Sequence, residues 1–96
     1  MPYTRVAEFE ADDEAVARFV NMVKEDPSPP EGVPASGINI LRNRDNGRLR
    51  VVVFFDSEED LHKGSETLDA MNPPEDINVR RLSVDTFEVL LQSQTP

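Results

Sequence analysis

The stretch INILRNRDNGRLRVVVFFD, residues 38–56, decides the fold. It reads as two strands around a turn. Ile38, Ile40 and Leu41 open the first strand, and residues 49–55 form the second. Between them lies Asp45-Asn46-Gly47, and Asn-Gly is the strongest short turn signal because both residues tolerate positive φ. If Asn46-Gly47 alone form the loop, Arg44 faces Leu49 and Arg42 faces Val51. With a three-residue loop, Arg44 faces Arg48 and Arg42 faces Arg50. Like charges directly opposite one another are unfavourable, so the two-residue loop is the preferred register.

Outward from this hairpin, the pattern changes period. Residues 57–71 read as a helix opened by Ser57, whose hydroxyl can cap the first turn with Asp60 in a capping-box position. Leu61, Leu68 and Met71 make its apolar stripe. Gly64 and Ser65 fall in the middle, where small residues let a helix approach a sheet or leave a void beneath it. Asn72-Pro73-Pro74 stops it. Residues 77–92 read as a long last strand with Leu82 and Val84 on one parity and Phe87, Val89 and Leu91 on the other, which predicts a bulge or bend near Asp85-Thr86. Upstream, residues 27–37 hold four prolines and two glycines and make a stiff extended loop. Residues 12–26 form a helix with Val16, Phe19, Val20 and Val23 on one stripe, begun by Asp12 or Asp13 and ended at Pro27. Residues 3–10 alternate as a strand, with Tyr3, Arg5, Ala7 and Phe9 on one face and Thr4, Val6, Glu8 and Glu10 on the other. The order β-α-β-β-α-β is the ferredoxin-like arrangement of the α+β class: a four-stranded antiparallel sheet with both helices on one face.

Composition bounds the rest. With 96 residues, 38% of them hydrophobic and 30% charged, the chain fits a single globular domain, residues 1–96. No transmembrane helix and no signal peptide are expected. There is no cysteine and one histidine; thiolate chemistry, thiolate zinc sites and two-histidine metal sites within one chain are excluded. Nineteen acidic residues against ten basic ones leave a net charge of −9. Such a surface repels a phosphate backbone and an anionic membrane, so neither nucleic acid nor membrane is an expected partner.

Val51-Val52-Val53-Phe54-Phe55 does not alternate. Neither do Val89, Leu90 and Leu91. A ferredoxin-like monomer has one wet sheet face and should alternate cleanly. The apolar runs predict that a second copy covers the helix-free face, giving a closed homodimer.

The stretch GVPASGINILRNRDNGRLRVVVFFDSEEDLHKGSETLDAMNPP, residues 32–74, together with the element order, resembles the dimeric α/β barrel superfamily. The similarity is greatest to its small stand-alone members related to the antibiotic biosynthesis monooxygenases. The resemblance implies a pocket in each subunit between sheet and helices. It also brings departures. The chain has no tryptophan; Phe55 stands where relatives often carry one, and Gly64 lies near the helix position where haem-degrading members carry another. The one tyrosine is Tyr3. No catalytic residue of the family is carried across.

Four residues are candidate ligand contacts. His62 is the one histidine, the side-chain type whose unperturbed pKa lies near neutral pH; it is either an exposed histidine on an acidic helix or a pocket-mouth group. Asn39 lies in an apolar strand, where a buried amide needs a partner. Arg42 belongs to a set of strand and hairpin arginines, with Arg44, Arg48, Arg50, Arg80 and Arg81, that either hold a carboxylate or enolate or pair with acids. Phe55 enters through the resemblance. The acidic runs at 12–14 and 58–60 read as helix caps rather than metal ligands. The expected function is that of a cytoplasmic small-molecule-binding or accessory module without metal, flavin or haem; the alternative is a cofactor-independent monooxygenase acting on an aromatic polyketide-like substrate.

Overall fold

The computed structural model describes residues 2–71 and 78–93. Its elements are β1 (Tyr3–Ala11), α1 (Asp13–Glu25), β2 (Gly37–Arg42), β3 (Leu49–Phe55), α2 (Glu58–Ala70) and β4 (Val79–Glu88). The strands form one antiparallel sheet in the order β2-β3-β1-β4. This is the ferredoxin-like fold.

Local chemistry sets the helix ends. Asp12 caps α1 by accepting a hydrogen bond from the Ala15 N–H at 2.8 Å. Ser57 caps α2 by accepting one from the Asp60 N–H at 3.1 Å. Each cap satisfies one of the free N–H groups of a first turn. Acidic residues fill both first turns, Asp13 and Glu14 in α1 and Glu58 to Asp60 in α2, where the positive end of the helix dipole favours them.

One face of the sheet carries the core. Leu49, Val51, Val53 and Phe55 are buried on β3, opposite Phe9, Ala7, Arg5 and Tyr3 of β1. Val16 of α1, Leu61 of α2 and Val33 of the proline-rich loop join them. The other face shows Val6, Val52 and Phe54, half-buried, beside Leu41 and Phe87, about half exposed. Within a single chain the five-residue apolar run therefore alternates between buried and half-buried positions.

Three boundaries differ from the sequence expectation. In the hairpin, Arg42 pairs with Leu49 and Ile40 with Val51, so Arg44 leaves the ladder. The Asn43 side chain accepts hydrogen bonds from the N–H groups of Asp45 (2.9 Å) and Asn46 (3.3 Å), and Gly47 N–H donates to the Asn43 carbonyl at 2.8 Å. This wider loop needs positive φ at Gly47 alone, at 72°. The expected two-residue turn needs it at Asn46 as well, which has a Cβ to accommodate. The bulge sits at Leu82, between the pairs Glu8–Ser83 and Phe9–Arg81, rather than near Asp85. There it turns Arg81 toward the helices, where the guanidinium donates to the carbonyls of Leu68 (3.2 Å) and Met71 (3.3 Å) at the end of α2. β4 ends at Glu88, opposite Tyr3 at the start of β1, followed by a bond from Val89 N–H to Pro2 O at 2.9 Å. Its expected start at Ile77, and the stop at Asn72-Pro73-Pro74, lie outside the described residues.

Gly64 lets α2 lie close on Phe55. Phe55 is fully buried, and a Cβ on Gly64 would lie 2.3 Å from its ring. Gly64→Ala gains about 1 kcal/mol of helix propensity, while overpacking costs about 1–3 kcal/mol. Because the clash is with a rigid ring, the variant is expected to be the less stable protein. Urea unfolding checks this, and Phe55→Leu in the Gly64→Ala background should recover part of the loss.

Candidate functional site

Ala7 is small, and α1 stands off the sheet above it. Pro27 ends α1, and the loop that follows has too many prolines to form a regular element, so it folds along the side of the gap with Val33 tucked into the core. The result is a cavity of about 750 Å³. Ala7, Phe9, Val51 and Val53 make its floor, and Phe19, Met22 and Val23 of α1 make its roof. Pro29, Pro30 and Ala35 form one side, and Leu68 and Met71 close the α2 end. The walls are mainly apolar, and the volume lies within the 300–1,000 Å³ typical of small-molecule sites, by about the middle of that range.

Four charged residues line the cavity. Asp26, Glu31 and Arg81 are exposed at its rim. Arg5 is different: it is 4% exposed, the one charged residue in the buried set. It sits on the helix-facing side of β1, between Tyr3 and Ala7. Its Nη2 donates to Asp69 Oδ1 at 2.6 Å, and its Nε has no partner. Arg5 and Asp69 are 64 positions apart, so the strand alternation that put Arg5 on the core face gave no sign of what it would meet there.

The four sequence candidates are scattered. Asn39 is exposed on the helix-free side of β2, beside a shallow depression of about 600 Å³ that also touches Pro2, Gly37 and Phe54. Arg42 is paired with Asp13 at the far end of β2. Phe55 lies in the core under Gly64. His62 is exposed on α2, 3.5 Å from Glu58 one turn earlier. None of the four lines the large cavity. Of the other arginines, Arg48 and Arg50 pair with Glu8, and Arg80 with Glu10. Such exposed pairs contribute about 0–1 kcal/mol each. Among the described residues, no group of three or more His, Asp or Glu side chains is placed to hold a metal ion, and no helix is long and apolar enough to cross a membrane.

Known structures of the same shape exist. A structure of the heme-degrader MhuD from Mycobacterium tuberculosis, with two hemes bound in its active site, superposes with a TM-score of 0.66 at 16% identity, covering 96% of this chain and 99% of that one. Rv0793 from Mycobacterium tuberculosis superposes with a TM-score of 0.56 at 13% identity, covering 98% and 100%. The likeness is one of fold, the ferredoxin-like arrangement described above. The resemblance read from residues 32–74 thus holds at the level of architecture, over nearly the full length of both neighbours. No family model matches the chain, and no curated protein matches it.

The placements separate two substitutions. Phe55→Ala removes a fully buried ring and is expected to cost about 3–5 kcal/mol in urea unfolding. His62→Ala removes an exposed side chain and should change stability by less than about 0.5 kcal/mol.

Proposed function

We propose that this protein is a small-molecule-binding homodimer, with one apolar cavity in each protomer between the sheet and the helices. The observation that carries this reading is the cavity of about 750 Å³ over Ala7, Val51 and Val53. Its mainly apolar lining and its volume are those of a site that takes a small organic molecule. The architecture suits such a role, for the similarly folded MhuD holds two hemes in its active site. Binding is favoured over the oxygenase alternative because Asn39, Arg42 and His62, the polar candidates for chemistry, all lie away from this cavity.

Dimerisation through the helix-free faces is supported by what those faces carry. Val6, Leu41, Val52, Phe54 and Phe87 form an apolar field that no helix among the described residues covers. Just beyond β4, Leu90 and Leu91 are 76% and 82% exposed. A second copy related by a twofold axis would bury both. Glu8 with Arg50, and Glu10 with Arg80, already pair within that face, so apposition of two copies would bring neutralised charges together.

Two measurements test the proposal. Titration with the neutral aromatic amide naphthamide, followed by amide NMR shifts, should perturb Ala7, Val51 and Val53; shifts confined to the opposite sheet face, or none up to the solubility limit, would overturn the cavity reading. Light scattering should give twice the chain mass, and Val52→Asp should give the monomer, because a buried unpaired charge at the interface costs several kcal/mol, about 3–5. A monomeric parent protein at micromolar concentration would end the dimer proposal.

A further inference from the structure

Arg5 gives the cavity a chemical preference. We infer that the ligand class is an organic anion, an apolar and preferably aromatic body bearing a carboxylate or enolate oxygen, and that Arg5 is the residue that recognises the charge. The inference rests on the cavity being a ligand site, as proposed above.

Burying a guanidinium in an apolar wall is unfavourable unless its N–H groups are answered. Among the described residues Arg5 has a single acceptor, Oδ1 of Asp69, which engages Nη2 and is itself 57% exposed. The Nε–H is buried and unanswered. The surface arginines Arg42, Arg48, Arg50 and Arg80 make similar pairs with acids but are about half exposed or more, where water meets their remaining donors. Arg5 is far more deeply buried, and among the described residues it is the one buried charge in the cavity wall. An anionic oxygen is the strongest acceptor for such a group, since a charge-assisted hydrogen bond is roughly twice as strong as a neutral one. Ala7, Val51 and Val53 next to it offer apolar surface to the body of the same molecule. The acids at the rim, Asp26 and Glu31, are exposed and screened, so they weaken this preference without reversing it.

Asp69 makes the preference adjustable. Its carboxylate competes with a ligand anion for the same guanidinium, from the outer side. Removing its charge should strengthen anion binding, whereas a purely structural Arg5–Asp69 pair would have no such consequence.

The probes are naphthoate and its neutral isostere naphthamide, titrated into the full-length protein by NMR with shifts read at Ala7 and Val53. Naphthoate should bind at least about tenfold more tightly than naphthamide, the ratio that one charge-assisted hydrogen bond gives. Arg5→Met should abolish this ratio while leaving naphthamide binding in place. Asp69→Asn, at an exposed position, should raise naphthoate affinity roughly threefold and leave naphthamide unchanged; it decides the matter if Arg5→Met does not fold. Equal affinity for the two probes, or a preference that persists without Arg5, overturns the anion inference and leaves the binding proposal standing. Failure of both probes to enter the cavity overturns both.

Discussion

The contact between Phe55 and Gly64 organises this molecule. A phenyl ring on the last position of β3 rises into α2 at the one place where the helix has no side chain. The close approach ties α2 down onto β1 and β3. It also completes a short segment of chain, since only Asp56 and the cap Ser57 lie between strand and helix. The angle at which the chain leaves the sheet and the depth at which the helix rests are thus set within ten residues. α1 is buried only near its start, through Ala15 and Val16. Phe19 and Val23 stand over Ala7 with space beneath them, and the proline-rich loop bounds that space without filling it. The asymmetry between a seated helix and a raised one produces the cavity.

Charge is divided along the same lines. The chain is strongly acidic, yet its arginines lie mostly on strands. On the helix-free face and around the hairpin they meet Glu8, Glu10 and Asp13, close enough to neutralise but exposed enough to contribute little to stability. Arg81 is used differently, bracing the carbonyls at the end of α2 across the bulge at Leu82. Arg5 is different again, because burial leaves its Nε–H without a partner. Residues of one type thus serve as surface pairing, helix capping and ligand recognition, and depth below the surface distinguishes them.

Much of this was written locally. The two-residue period of residues 3–10, the helical stripes through Val16 and Leu61, and the caps Asp12 and Ser57 each depend on neighbours within one or two turns, so element order, the sheet faces of β1 and the helix starts follow from the sequence alone. The apolar run at residues 51–55 likewise marked a sheet whose second face is rich in apolar side chains. Details that depend on competition between near-equal local choices went otherwise. Asn43, rather than Asn46-Gly47, built the hairpin loop by offering its side chain as acceptor, and the bulge fell at Leu82, where Arg81 could reach α2. The candidate site was legible in kind and not in place. A cavity between sheet and helices was implied, but its volume depends on how far α1 lies from Ala7, a distance summed over every contact in two layers. Sequence reasoning chose His62, Asn39 and Arg42 for their chemistry, and Phe55 for its position. The tertiary structure chose Arg5, because only the packing of β1, β3 and α2 together buries it and brings up Asp69, 64 positions away, as its one acceptor among the described residues.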